Sequence, residues 1–382
     1  MPVISYFILS NLISSISIGV VLVIVPWTLV SFVGSQALIY INIISLGFLL
    51  IFRKQIYMLL NTVPARNVMA ANMVITSTAL SLLLFFPGNK LLFIPMMFIS
   101  QFYIYFYYVS RGILTKELVT DANYGKYNGI LEIENQASAF IAGGLAAYLV
   151  GQDQERLNEI IALSMSGLMT SALVLVTKVK SAQTEDLPVN DAAMTHSFQI
   201  KLSFIAIGAS ATFICVKLLD VINPIYVVDV LQRSPEVLAI SGIFYTIGAI
   251  CAGLLGATQV VKAREFDVII LSLAGFLSFC LIFTLYPRIE LFYASWCAWG
   301  LFNGLSRIAW QTIAMNVLDK AALSKFFAGV TMMIDIIRIN LLLIYSLAIK
   351  YFSPELSFLY LSAICIIGTS LCLAGQKKTV RS

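Results

Sequence analysis

KVKSAQTEDLPVNDAAMTHSFQ, residues 178–199, is the one sizeable polar stretch in a chain of 382 residues. Apolar runs fill the sequence on both sides of it. Six runs precede it and six follow, and many are long enough to cross a bilayer as helices of about 20 residues. Their approximate bounds are 4–33, 35–52, 68–87, 91–113, 129–150, 160–177, 200–230, 236–259, 267–286, 290–317, 327–350 and 354–375. Composition agrees. The chain is 60% hydrophobic and 11% charged, with a mean hydropathy of +0.92, whereas a soluble domain carries about 25% charged residues. Barrel strands are short and alternate in character, so the long runs favour helices. The expectation is an all-α membrane protein with twelve transmembrane helices. Its parts are a six-helix bundle at 1–177, a cytoplasmic loop at 178–199, and a second six-helix bundle with a short basic tail at 200–382. The first run lacks a basic n-region and an A-x-A-like cleavage site, so it reads as a span and not as a signal peptide.

Charge placement sets the expected orientation. With a cytoplasmic N-terminus, the inner loops and tail hold Arg53, Lys54, Arg66, Lys116, Lys126, Lys178, Lys180, Lys201, Lys262, Arg264, Lys320, Lys325, Lys377, Lys378 and Arg381. The outer loops hold Lys90, Arg156, Arg233, Arg288 and Lys350. Fifteen against five satisfies the positive-inside rule and places both termini inside a cell's inner (cytoplasmic) membrane. This bias explains the net charge of +5 without a nucleic-acid partner. The six cysteines all fall in spans and none forms a C-x-x-C pair, so neither a metal site nor a disulfide framework is indicated. The single histidine, His196, sits in the central loop, which argues against a histidine proton relay.

The two sides of the polar stretch echo each other. VIVPWTLV (23–30) aligns with VINPIYVV (221–228), setting Pro26 opposite Pro224. Ser110-Arg111 at the end of span 4 answers Ser306-Arg307 in span 10. A basic loop follows each pair, and then a glycine, Gly129 or Gly329, opens the next span. Two similar halves of the same orientation are the mark of parallel transporter repeats.

The segment SRGILTKELVTDANYGKYNGILEIENQASAFIAGGLAAYLVG (110–151) carries a family likeness. An Arg precedes an "ELV", and an "NG-LE--NQ" run then opens span 5, with Arg111, Glu117, Asn128, Gly129, Glu132, Asn135 and Gln136 at the matching positions. NPIYVVDVL (223–231) adds to it. The chain resembles the major facilitator superfamily over nearly its whole length, and within it the branch of bacterial siderophore exporters of the enterobactin type and related efflux permeases. The resemblance implies two parallel six-helix repeats. Spans 1, 4, 7 and 10 then line a central cavity, flanked by 2, 5, 8 and 11. One motif departs. The superfamily's loop between spans 2 and 3 reads like G-x-x-x-D-R-x-G-R-R, but RKQIYMLLNTVPARNVM (53–69) has Asn61 and Thr62 at the Asp and Arg positions and Pro64 for Gly. Only Arg66 keeps a basic position.

An ionisable residue inside a bilayer costs roughly 2.5–3.5 kcal/mol on insertion scales, so each needs a partner, a cavity or a function. Arg111, Glu132, Glu134 and Arg307 gather towards the cytoplasmic side. They read either as a brace of Arg–Glu pairs or as a proton-coupling site, with Glu132 or Glu134 the acceptor. Asp335 and Arg338 sit mid-span, three residues apart on one helix face. They read either as a self-satisfied pair or as a site where Arg338 meets a substrate anion. Lys217 and Asp220 repeat that spacing in span 7.

QFYIYFYYVSR (101–111) packs six aromatic rings before Arg111. Tyrosine hydroxyls need partners, so Tyr103, Tyr105 and Tyr107 suggest a wet aromatic wall, with a packed stripe as the plainer alternative. Trp299 and Asn303 on span 10 are candidates to join it. No nucleophile–base set, phosphate loop or ATPase motif appears, so no enzyme and no cofactor are expected. The expectation is a monomeric, proton-coupled secondary transporter in contact with membrane lipid, exporting an anionic siderophore or similar small polar metabolite. The alternatives are a multidrug efflux permease, an importer of the same ligands, or a receptor that does not transport.

Overall fold

In the computed structural model the described residues are 3–33, 35–86, 88–119, 123–150, 154–179, 196–233, 236–258, 264–348 and 356–377. They form fourteen α-helices and, among the described residues, no strand. The helices are α1 (Val3–Val33), α2 (Ser35–Ile51), α3 (Arg53–Thr62), α4 (Ala65–Phe85), α5 (Phe93–Leu118), α6 (Tyr124–Val150) and α7 (Gln154–Lys178). They continue as α8 (His196–Ala209), α9 (Ala211–Asp229), α10 (Glu236–Gly256), α11 (Glu265–Leu285), α12 (Ile289–Val317), α13 (Lys320–Ala348) and α14 (Ser357–Lys377). Helix is the expected outcome of such runs, because hydrocarbon offers no partner for the backbone and a helix satisfies its own N–H and C=O groups.

Every apolar run contains one of these helices, and the seventh contains two, α8 and α9. Among the described residues, eight segments are long and apolar enough to cross a membrane: α1, α4, α5, α7, the α8–α9 stretch, α11, α13 and α14. This is the pattern of a multi-pass membrane protein. The helices that carry Glu132, Glu134 and Arg307, α6 and α12, are not among the eight. The short helix α3 falls in the stretch that departs from the family motif. Beside it Arg66, the basic residue that survives there, donates to the carbonyl of Val179 at the end of α7 (3.1 Å).

The chain divides into two compact units. One comprises Met1–Thr120, Ala137–Glu185 and Asp319–Ala328; the other comprises Asp121–Gln136, Asp186–Leu318 and Gly329–Ser382. In the first unit α7 packs on α1 and α4, α5 packs on α1, α2 and α4, and α1 packs on α2. In the second, α14 packs on α8 and α11, α12 packs on α9, α10 and α11, and α10 packs on α9. Each pairing in the first unit thus has a counterpart six apolar runs later in the second. The second unit is knit by an aromatic cluster in which Trp299 stacks between Phe276 and Phe358, with Tyr226, Phe283 and Phe292 around them.

The seventh run was expected as one span, yet it breaks at Ser210. The Ser210 hydroxyl donates back to the carbonyl of Ala206 (2.7 Å), a bond that tends to bend helices. The neighbouring carbonyl of Ala209 accepts from Ser306 of α12 at 2.8 Å. That bond diverts an acceptor the helix would use for itself, a recognised cause of a kink.

Tight packing of α10 on α12 depends on a missing side chain, since a Cβ on Gly248 would collide with the Cys297 carbonyl. Backbone cannot yield as a side chain can. Gly248→Val should therefore destabilise the protein by about 1–3 kcal/mol. Gly47→Ala should leave stability unchanged, because an added Cβ there meets nothing within 4 Å. Thermal unfolding of the purified variants measures both.

Candidate functional site

The second unit holds a charged core where α6 meets α12. Arg307 donates to Glu132 Oε1, and their side chains are 15% and 6% exposed. Gln136, one turn along α6, donates to the same oxygen at 2.8 Å. One turn before Glu132, Asn128 donates to Thr312 Oγ1 of α12 at 3.0 Å. The spacing 128, 132, 136 puts the three on one face of α6, in line with Thr312 and Arg307 on α12. Glu134 is also buried. Chemically, the Glu132 carboxylate and the Arg307 guanidinium balance each other's charge inside the apolar bundle.

A second group lies at the helix break. Thr212 Oγ1 is 3.2 Å from Asn303 Oδ1, and Asn303 donates to the Tyr245 hydroxyl at 2.6 Å. A chain of neutral polar groups thus runs from α9 through α12 to α10, beside the Ser306–Ala209 bond. Further along, Asp335 and Arg338 of α13 pair at 3.3 Å and keep 24% and 18% of their side chains exposed. The half-buried Lys217 of α9 also acts electrostatically on Asp335. So Lys217 acts on Asp335 from another helix, whereas the sequence could only pair these residues within their own helices. The side chain of Asp220 lies outside the described residues.

The first unit carries the tyrosines. Tyr103 and Tyr107 stack with centroids 5.8 Å apart and planes at 14°, and the Arg111 guanidinium lies 5.8 Å from the Tyr107 ring centre. The Tyr107 hydroxyl is hydrogen-bonded to Ser15 of α1 at 2.9 Å. Asn72 of α4 donates to the Tyr103 carbonyl. Tyr105 points elsewhere and donates to the Ala328 carbonyl at 3.0 Å. All three rings are buried. Trp299 has both ring faces covered by Phe276 and Phe358 and belongs to the aromatic cluster described above. Asn303 is tied into the polar chain.

Several participants were not singled out in the sequence: Ser15, Asn72, Thr212, Tyr245 and Thr312. Their signal was faint but present, since each is a polar side chain inside an apolar run. Asn11, one turn before Ser15, belongs with them. It is fully buried, and its amide has no hydrogen-bond partner among the described residues. Among those residues, no group of three or more His, Cys, Asp or Glu side chains could hold a metal ion.

The Glu132–Arg307 pair makes a sharp forecast. Glu132→Gln removes a counter-charge from a buried guanidinium and should cost about 3 kcal/mol of stability, whereas adding Arg307→Met should recover most of that loss. Denaturation of the single and double variants checks it. A double-variant loss equal to the sum of the Glu132→Gln and Arg307→Met losses would mean that the two charges do not depend on each other.

At the level of sequence, no family description and no curated protein matches the chain. Solved structures do. A bacterial homologue of the iron transporter ferroportin, in its outward-facing state, superposes with a TM-score of 0.73 at 13% identity, covering 99% of this chain and 100% of its own. The major facilitator superfamily transporter FucP, in an outward conformation, gives 0.71 at 13% identity over 97% and 98%. The human organic anion transporter MFSD10 (TETRAN) gives 0.65 at 9% identity over 97% and 98%. At such identities the likeness establishes architecture, and that architecture, over nearly the full length, is the fold of the major facilitator superfamily.

Proposed function

We propose that the protein is a secondary active transporter of the major facilitator superfamily. It works as a monomer in the inner membrane, with twelve spans and both termini cytoplasmic. Its solute is a small anionic metabolite of the siderophore type, and protons drive its export by alternating access. The observation that carries this reading is the cluster of Lys217, Asp335 and Arg338. Arg338 pairs with Asp335 inside apolar helices while part of its side chain stays exposed, which suits it to meet an anion, and Lys217 acts electrostatically on the same carboxylate. The fold supports transport. The proton partner is supported by Glu132, and by the E. coli fucose:proton symporter FucP among the structural neighbours (TM-score 0.69, 13% identity). Export and the siderophore class rest on the likeness of residues 110–151.

In this mechanism Arg338 and Lys217 hold the anion while Asp335 keeps Arg338 oriented in its absence. A proton reaching Glu132 weakens the hold on Arg307 and frees α6 to move against α12. The Tyr103–Tyr107 stack offers a flat apolar wall with a hydroxyl at its edge.

Flux of candidate anionic siderophores in proteoliposomes under an imposed pH gradient tests the reading. Wild-type protein should move solute with the gradient, and Glu132→Gln should retain binding but lose gradient-driven flux. Arg338→Lys keeps the charge but loses the guanidinium fork, so it should weaken binding about ten- to a hundredfold. If instead Asp335→Asn together with Arg338→Gln restores binding that either change alone destroys, the pair serves only itself and the anion site is refuted.

A further inference from the structure

Cys215 on α9 and Cys365 on α14 bring their sulfurs to 3.8 Å, both fully buried in the second unit. Disulfide sulfurs sit about 2.05 Å apart, so an approach of under about 2 Å separates this pair from bonding. The pair occupies a mechanically sensitive place. Helix α14 runs unbroken past the α8–α9 break and lies along both pieces. On the α8 side it is held by the close backbone approach of Gly368 to Gly208, and by the Cys372 thiol on the Ile205 carbonyl at 3.5 Å. On the α9 side, Cys365 meets Cys215, whose thiol also reaches the Leu361 carbonyl at 3.6 Å. Helix α14 is therefore a splint across the bend, and on one side it is joined by two thiols that are not bonded to each other.

We propose that Cys215 and Cys365 are an oxidation-sensitive dithiol, closed to a disulfide by a small, neutral, membrane-permeant two-electron oxidant, and that the bond fixes the bend at Ser210. One S–S bond forms and two S–H bonds break. With an azodicarboxamide such as diamide, both hydrogens pass to the N=N group, which leaves as the hydrazine. The burial of both sulfurs excludes bulky or charged oxidants. Because Lys217 lies two residues beyond Cys215 on the same helix, a fixed bend also fixes that cation.

The experiment uses the full chain in lipid nanodiscs, treated with diamide, denatured, alkylated and weighed. Four of the six free cysteines should remain alkylatable, with Cys215 and Cys365 recovered as one cross-linked peptide. Cys215→Ser and Cys365→Ser should each abolish that loss, while Cys280→Ser and Cys372→Ser should retain it. Cys215→Ala repeats the test if the serine hydroxyl disturbs packing. Amide exchange across residues 206–214 should slow on oxidation, and should not in Cys215→Ser. If all six thiols stay alkylatable, or two are lost without Cys215 and Cys365, the dithiol is refuted. A Cys215–Cys365 link that leaves exchange unchanged refutes its hold on the bend.

Discussion

A charge buried in an apolar helix bundle must find its counter-charge there, and much of this structure answers to that constraint. Arg307 and Glu132 come from helices far apart in sequence, and each would be costly alone. Meeting the requirement fixes more than one bond. Gln136 and Asn128 sit a turn to either side of Glu132, and with Thr312 they turn a single ion pair into a polar seam along α6 and α12. That seam is consistent with residues 121–136 of α6 clustering with the second unit while the rest of the helix clusters with the first.

The recurring helix pairings also show where the halves differ. Helix α1 runs 31 residues without a break, although it contains Pro26. Its counterpart divides at Ser210. The contrast follows hydroxyls at the break. Ser210 bonds back to the Ala206 carbonyl, and both Thr212 and Ser306 donate to the Ala209 carbonyl, whereas Ser110, the echo of Ser306 in the first half, is buried without a hydrogen-bond partner among the described residues. A carbonyl drawn to other donors is lost to its own helix. The surroundings then diverge. The second half strings Thr212, Asn303 and Tyr245 together near its break, while the first sets Ser15 against Tyr107.

How much of this was legible in the sequence depended on the strength of each signal. Hydrophobic length located the helices, because nothing in an apolar run competes with helix once water is absent. The break at Ser210 was hidden, since part of its cause, Ser306, lies on α12 and Gly208 beside it passes for an ordinary packing glycine in an apolar run. Helix α3 was hidden by reading residues 53–69 as a motif and not as a period. Charged residues announced themselves by their cost, so Glu132, Arg307, Lys217, Asp335 and Arg338 all stood out, although the influence of Lys217 on Asp335 needed three dimensions. Neutral polar residues cost little and looked like filler. Aromatic residues gave the least guidance to their surroundings. Trp299 drew notice by its position on span 10, but its two stacking partners come from α11 and α14, which the sequence could not bring together.

The Glu132–Arg307 pair also limits what a proton could do in the proposed cycle. A ligand shifts a conformational equilibrium only by the difference in its affinity for the two states. A proton bound equally well before and after a rearrangement would drive nothing. Arg307 and Gln136 hold one Glu132 oxygen in the packed arrangement of α6 and α12, so loosening those bonds and separating the helices are one event. By reciprocity, a ligand that loosens them favours separation, and separation favours that ligand. An anion drawn to Lys217 and Arg338 acts on α9 and α13, so it can join this linkage only if those helices move with α12. The packing of α9 on α12 and the Ser306–Ala209 bond give it a physical route.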